Sequence, residues 1–548
     1  MKPNIKHVII LLILSYMFLM FGNGVLSLTN PDEVFYTQTA KEMVQQKSWM
    51  TPYLFGQPQF EKPIFLYWAM RLSFLVFGFN SFAARFAPAL FGIIGVLAVY
   101  FLSLIGLRSQ KKAFLASLCL TSSGLYIGLS RTVFTDLIFS VFIILSLAAF
   151  FWGYSQKNKK AQGVLWFFIF SALAVLTKGP LGLLMCFGTI FLFLAWRREL
   201  KYLLCPAFFW GLGIFCLIAL PWYILMIKLY GHSFTHEFFY NDHIRRILEA
   251  EHISNDRWYF YPLSMVGCMF PWSIFVFAGL VNLFFRLKKE KQPFFLFLAC
   301  WVTAVFLTFQ FAHSKLTSYI FPVFPALAIL AGNYIYENAS RAKPTRAFIY
   351  LSLVNAIVML IFPIGMFFVL QRFLGYFSSL VPFWFLLPVL LILLLAALFF
   401  TLKRKFITSA YLYVFLLPLC IYTAVFLRRD VEVFLSTKDA CDYLVKNYEV
   451  KNKILCSKGF VRGVKFYTDK EVVALDLPGS DFFSPHPLEF IKTDKEFMEF
   501  LRRQPVAFGV LKKGHVGFMR EERRLKVSCT VLKSFGSAYV VKIEALGE

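Results

Sequence analysis

The sequence predicts a polytopic α-helical membrane protein with a small α/β domain at its C-terminal end. Of its 548 residues, 59% are hydrophobic and 19% aromatic, and the mean hydropathy is +0.66; a soluble domain averages roughly 45–50% apolar residues. Apolar runs long enough to span a bilayer recur along the chain, separated by short clusters of Lys and Arg. From Val431 onward the runs shorten and charges become frequent.

In chain order, residues 1–6 lead into an apolar run over 7–28. No small-residue cleavage site follows, and the run has the roughly 20 residues that a spanning helix needs, so it reads as a retained first helix. Further spans are expected at about 82–107, 113–129, 132–153, 163–177, 180–196, 203–227, 259–285, 293–311, 318–336, 347–370, 381–402 and 407–427, thirteen in all. In such proteins the cytoplasmic loops hold the excess of basic residues. With the N-terminus inside, the clusters Arg108/Lys111/Lys112, Lys157/Lys159/Lys160, Arg197/Arg198/Lys201, Arg286/Lys288/Lys289/Lys291, Arg341/Lys343/Arg346 and Lys403/Arg404/Lys405 all fall where alternation requires. Orientation therefore accounts for much of the net charge of +26. Nucleic-acid binding would need those residues gathered on one polar domain. The odd span count divides the chain into a transmembrane domain over 1–428 and a soluble domain over 429–548 on the outer side.

In that terminal part, helical spacing at 437–446 and 494–503 mixes with strand-like runs at 453–456, 471–475, 506–511, 526–533 and 537–543, which predicts a small α/β sandwich. Its three cysteines, Cys441, Cys456 and Cys529, leave room for one disulfide of unassigned pairing. Most of the others lie inside apolar runs with no metal-like spacing. Two outer loops, 29–81 and 228–258, exceed simple turns. In the first, 33–44 is amphipathic, and a second such stretch opens with Glu61-Lys62-Pro63 and carries Tyr67, Trp68 and Arg71; both are expected to lie along the membrane interface. The second runs His236-Glu237-Phe238-Phe239-Tyr240-Asn241-Asp242-His243 and then Arg245-Arg246, a lid over a cavity.

The residues able to carry chemistry lie at the outer face. Asp32 and Glu33 follow Pro31 just past the first span. They either start an interfacial helix, where acids oppose the helix dipole, or one of them serves as a general base towards an acceptor. Lys62 precedes Pro63 at a helix start. It is either a snorkelling lysine or a phosphate holder aided by backbone donors. Arg131, Asp136 and Lys178 stand at outer ends of spans, where charge asks for a local partner, in an ion pair or a site. The turn from His313 to Pro322 places Lys315 and Tyr319 on one face if it is helical, in reach of a phosphate or sugar. His232, His236, Glu237, Asp242 and His243 fit no standard zinc spacing, and no metal site is expected there.

The Asp32-Glu33 pair, Phe60-Glu61-Lys62-Pro63, Ser314-Lys315-Leu316 with Tyr319, the span count and the outer terminal domain together resemble the polyprenyl-phosphate-sugar-dependent glycosyltransferases of GT-C type, which include the lipid A aminoarabinose and protein O-mannose transferases. The run from Lys465 to Val473 resembles a segment of that family's terminal domain. The resemblance implies a GT-C fold and inverting transfer from an undecaprenyl-phosphate-linked sugar to a lipid A, glycan or protein acceptor. That transfer would occur on the periplasmic side of a bacterial inner membrane. It makes Asp32 the catalytic acid and Asp136 a second outer acid. Lys62 and Tyr319 become phosphate contacts, and Glu61 and Tyr36 further site candidates. A lysine and an arginine suffice to meet the charge of a departing polyprenyl phosphate, so no nucleotide or divalent metal is required. The chain departs from the family pattern at three places. Phe35 stands where the aminoarabinose enzymes carry arginine, which leaves a phosphate contact missing or supplied by Arg131, Lys178 or Lys315. Gln59 replaces a tyrosine, and Gly479-Ser480-Asp481 replaces Gly-Glu-Leu. The rival class is a lipid or sugar transporter, which the lack of an internal repeat and the gathering of charges at one face count against. A non-enzymatic scaffold would leave those charges without a purpose.

Overall fold

Helix forms in each of the thirteen apolar runs. The computed structural model describes residues 2–250, 253–289, 292–372, 379, 381–477, 488–521 and 527–545. Among them, eight helices are long and apolar enough to cross a bilayer, or nine if the bent pair Gln110–Thr121 and Gly124–Ser130 is one span. The protein is thus a multi-pass membrane protein, but by this measure the count falls short of thirteen. Proline accounts for part of the shortfall, because it removes an amide donor and clashes with the preceding turn. Pro271 lies in the break between Phe260–Cys268 and Ser273–Lys289. Pro322 and Pro325 delay the next helix to Phe324–Ala339. The first run ends early, with a π-turn at Tyr16–Met20 and Gly22 at φ +77°.

The first outer loop folds as the helix Asp32–Gln45, a two-stranded ribbon of β1 (Tyr53–Leu54) and β2 (Gln57–Pro58), and the helix Phe65–Phe77. Phe65–Phe77 has the expected interfacial character, burying Leu66, Met70 and Phe74 while exposing Leu72, Leu75 and Val76. Asp32–Gln45 does not, since it is buried continuously from Glu33 to Met43. A helix from the terminal domain, Val461–Thr468, packs against it. In the second loop Gly231, at φ +50°, breaks the helix Pro206–Thr235, and the chain continues as wide π-turns over His236–Ile244 and a single α-helical turn, Arg245–Leu248.

The terminal domain is a three-layer sandwich. Its sheet runs β5 (Phe490–Ile491), β4 (Val472–Leu475), β3 (Ile454–Ser457), β6 (Val506–Lys512), β8 (Ala538–Ala545), β7 (Val527–Phe535). The first four strands are parallel and the last two form an antiparallel hairpin. Because strand side chains alternate between faces, Ile454 and Cys456 pack with Leu444 and Val461 on one side, and Leu455 packs with Phe497 and Leu501 on the other. The predicted helices appear as Lys438–Asn447 and Asp494–Arg503, the latter opened by a Thr493/Glu496 capping box. Two short helices, Val461–Thr468 and Lys513–Glu521, fall outside the predicted elements. All ten cysteines are free thiols.

Candidate active site

A cavity of about 750 Å³ opens where the first loop, the second loop, the 311–319 turn and the start of Val461–Thr468 converge. Leu184, Leu307, Phe309 and Phe311 form an apolar wall, and charged side chains line the remainder.

Part of the lining is cationic. Pro63 keeps Lys62 out of the following helix, and the Lys62 ammonium donates to both Asp242 oxygens at 2.6 and 2.7 Å and to the Glu61 carbonyl at 3.1 Å. Arg246, one turn beyond Asp242, brings Nη2 to 3.2 Å from Asp242 Oδ1 and donates from Nη1 to the Tyr319 hydroxyl at 2.8 Å. Lys178 pairs with Asp136 at 2.5 Å and lies 4.6 Å from the centroid of the Tyr319 ring. Burial draws the Lys62 ammonium below its ordinary value, opposed by the Asp242 and Glu61 charges and reinforced by Arg246. Charged donors gathered around one internal carboxylate suit an oxyanion such as a phosphate monoester.

Acids share the same lining. Asp32 is the first residue of its helix, where the dipole favours a carboxylate. It lines the cavity with Tyr36 one turn on, Phe35, Glu61 and Arg462. Glu33 does not share this place, because the next helical residue projects about 100° away. Its carboxylate is 0% exposed. It accepts from Arg85 Nε and Nη2 at 2.8 and 2.6 Å, from the Val133 amide at 3.1 Å and from the Thr29 amide at 2.9 Å. Glu33 is therefore a structural anion that ties the first loop to the bundle. Arg85→Met, which leaves that carboxylate buried and unpaired, is expected to cost about 3–5 kcal/mol, read as a lowered melting temperature of the purified protein.

Two further candidates stand outside the cavity lining. Arg131 donates to the carbonyls of Phe18 and Phe21 at 3.2 and 2.9 Å. Lys315 pairs at 2.6 Å with Asp256, which His313 also contacts at 2.7 Å. Neither supplies the charge absent at Phe35. Asp32, Tyr36, Glu61, Lys62, Asp136, Lys178 and Tyr319 do line it together. Sequence reasoning missed Lys458 and Arg462, and took Asp242 and Arg246 only as parts of a lid loop with no standard metal spacing. A signal existed for Arg246, since an Arg-Arg pair in an outer loop runs against the orientation rule. Arg462 had only its place three residues before Lys465. Among the described residues no three His, Cys, Asp or Glu side chains gather as a metal-binding group. Gly479-Ser480-Asp481 lies outside the described residues.

Residues 4–235 match the profile of the dolichyl-phosphate-mannose-protein mannosyltransferases. An uncharacterised protein of Aquifex aeolicus (strain VF5) is 30% identical over 374 residues, 67% of this chain and 80% of that one. The chain belongs to the GT-C glycosyltransferase family. Another relative of this GT-C chain is the undecaprenyl phosphate-alpha-4-amino-4-deoxy-L-arabinose arabinosyl transferase 2 of Proteus mirabilis (strain HI4320), 29% identical over 320 residues. That match takes in 58% of the GT-C chain and 57% of the Proteus protein, little more than half its length. In fold, the GT-C chain is similar to the crystal structure of ArnT from Cupriavidus metallidurans bound to undecaprenyl phosphate, with a TM-score of 0.77, 17% identity, and coverage of 98% and 97% of the two chains.

Proposed function

We propose that the chain is an inverting glycosyltransferase that moves a sugar from undecaprenyl phosphate to a lipid A, glycan or protein acceptor. It acts at the periplasmic face of a bacterial inner membrane, with the N-terminus cytoplasmic and the domain over 429–548 periplasmic. The observation that carries this reading is one cavity whose lining holds a phosphate seat of Lys62, Arg246 and Tyr319 together with a carboxylate, Asp32. The name of the Proteus relative, which specifies an undecaprenyl phosphate sugar, supports the donor class.

In this scheme the donor phosphate sits against Lys62, Arg246 and Tyr319, and the polyprenyl tail follows the wall of Leu184, Leu307, Phe309 and Phe311. Asp32 accepts the proton of an acceptor hydroxyl, or orients an acceptor already ionised. The acceptor oxygen bonds to the anomeric carbon from the face opposite the phosphate, and the carbon–oxygen bond to the phosphate breaks. The leaving polyprenyl phosphate gains charge, which Lys62 and Arg246 meet without reorganising. Asp136 and Lys178 neutralise each other and hold Tyr319 in place. The scheme calls for neither nucleotide nor divalent metal.

The test is mass spectrometry of cell-envelope lipids and glycoproteins with and without the gene, paired with undecaprenyl phosphate binding by the purified chain. A sugar-sized mass that disappears with the gene is expected, together with binding. Unchanged envelopes and no binding would reject the reading. Transport of the lipid in vesicles lacking any acceptor would favour the transporter, which the gathering of acids and lysines at one face disfavours.

A further inference from the structure

The helix Val461–Thr468 belongs to the terminal domain, yet its first turn enters the cavity. Lys41 donates to the Phe466 carbonyl at 2.9 Å and pairs with Asp469 at 2.7 Å. Tyr467 OH accepts from the Leu28 amide at 2.9 Å. A Cβ on Gly463 would collide with Asn30 Oδ1 and Thr437 Oγ1, so the backbone lies closer to the first loop than a side chain permits.

That docking carries Arg462 to the acids of the lining. It is 9% exposed, its guanidinium carbon lies 4.5 Å from the centroid of the Phe35 ring, and Nη1 lies 3.4 Å from the Pro31 carbonyl. Glu61 and Asp32 are the carboxylates whose fields act on it. Docking alone does not call for a charge here, because Lys41, Tyr467 and Gly463 already make the joint. Burial draws the Arg462 guanidinium below its ordinary value, and the Glu61 and Asp32 charges oppose that only in part.

We propose that Arg462 is a positioning residue supplied by the terminal domain, which orients the Asp32 and Glu61 carboxylates that line the cavity with it. This rests on the reading above, in which Asp32 handles the acceptor. In that reading Arg462 serves transfer, whereas Lys62, Arg246 and Tyr319 serve donor capture.

The test uses the full chain in cells lacking the native gene, reading the gene-dependent envelope mass, and the purified chain, reading undecaprenyl phosphate binding. Arg462→Met is expected to keep lipid binding within about threefold while the envelope product falls by about tenfold or more, as misplaced catalytic groups do. Arg462→Lys retains more product than Arg462→Met. In Phe35→Arg/Arg462→Met the new guanidinium starts from the ring that Arg462 now covers, and product recovers. Parental product from Arg462→Met overturns the proposal. Joint loss of lipid binding and product also overturns it, by making Arg462 part of the scaffold, and so does a double variant no better than the single one. Parental product from Asp32→Asn is a different failure: it removes the reading beneath the proposal whatever Arg462 does.

Discussion

Asp32→Asn is expected to leave the chain folded and able to bind undecaprenyl phosphate while transfer falls by about 10²–10⁴-fold, the usual worth of a positioned general base. Asparagine keeps the shape of the side chain and remains acceptable in the first helical turn. Asp32 sits on the exposed side of that turn, so the loss of its charge costs the fold little. The adjacent acid gives the contrast. Glu33→Gln strikes a carboxylate held by Arg85 and by the Thr29 and Val133 amides, and its effect belongs in a melting curve. Initial rates and melting temperatures measured on both variants separate the two roles. Full transfer by Asp32→Asn would remove the base from the scheme.

Lys62→Ala is expected to weaken undecaprenyl phosphate binding by about 10–100-fold, the worth of one charge-assisted hydrogen bond of roughly 1.5–3 kcal/mol. Arg246→Ala should act similarly. The double variant should cost less than the sum, because both cations share Asp242. The pH dependence has a definite sign. Burial lowers the Lys62 ammonium, so it loses its proton as pH rises before an ordinary lysine would, and binding by the parent declines on that alkaline side. Lys62→Arg, whose guanidinium stays charged, should flatten that decline. Binding titrations across alkaline pH check this, and identical profiles for parent and Lys62→Arg would place the alkaline group elsewhere.

The elements were legible because hydropathy and strand alternation are local. The helix Asp494–Arg503 has the predicted ends, and β3, β4 and β6 lie within a residue of theirs at each end. Asp32, Lys62, Asp136, Lys178 and Tyr319 stood out as polar groups at the ends of apolar runs. Choosing between Asp32 and Glu33 needed the rotation of a helix relative to a bundle, which neighbouring letters do not encode. Arg131 and Lys315 had the same promise as Lys178, and only their partners, two carbonyls and Asp256, take them out of the cavity. The Lys62–Asp242 and Phe35–Arg462 contacts join segments far apart in the chain. Nothing in the composition of either segment announces its partner.

Asp242 cancels one of the two positive charges of the seat at rest, since Lys62 and Arg246 already hold an anion of the chain's own. In the proposed reaction, donor arrival is then an exchange of anions. The spent lipid is a phosphate monoester, with up to about two charges at neutral pH, whereas the donor is a diester with one. A bare pair of cations would favour the spent carrier over the fresh one. A resident carboxylate that returns to the same cations counters that preference, and the step it serves is the release that lets the next donor in.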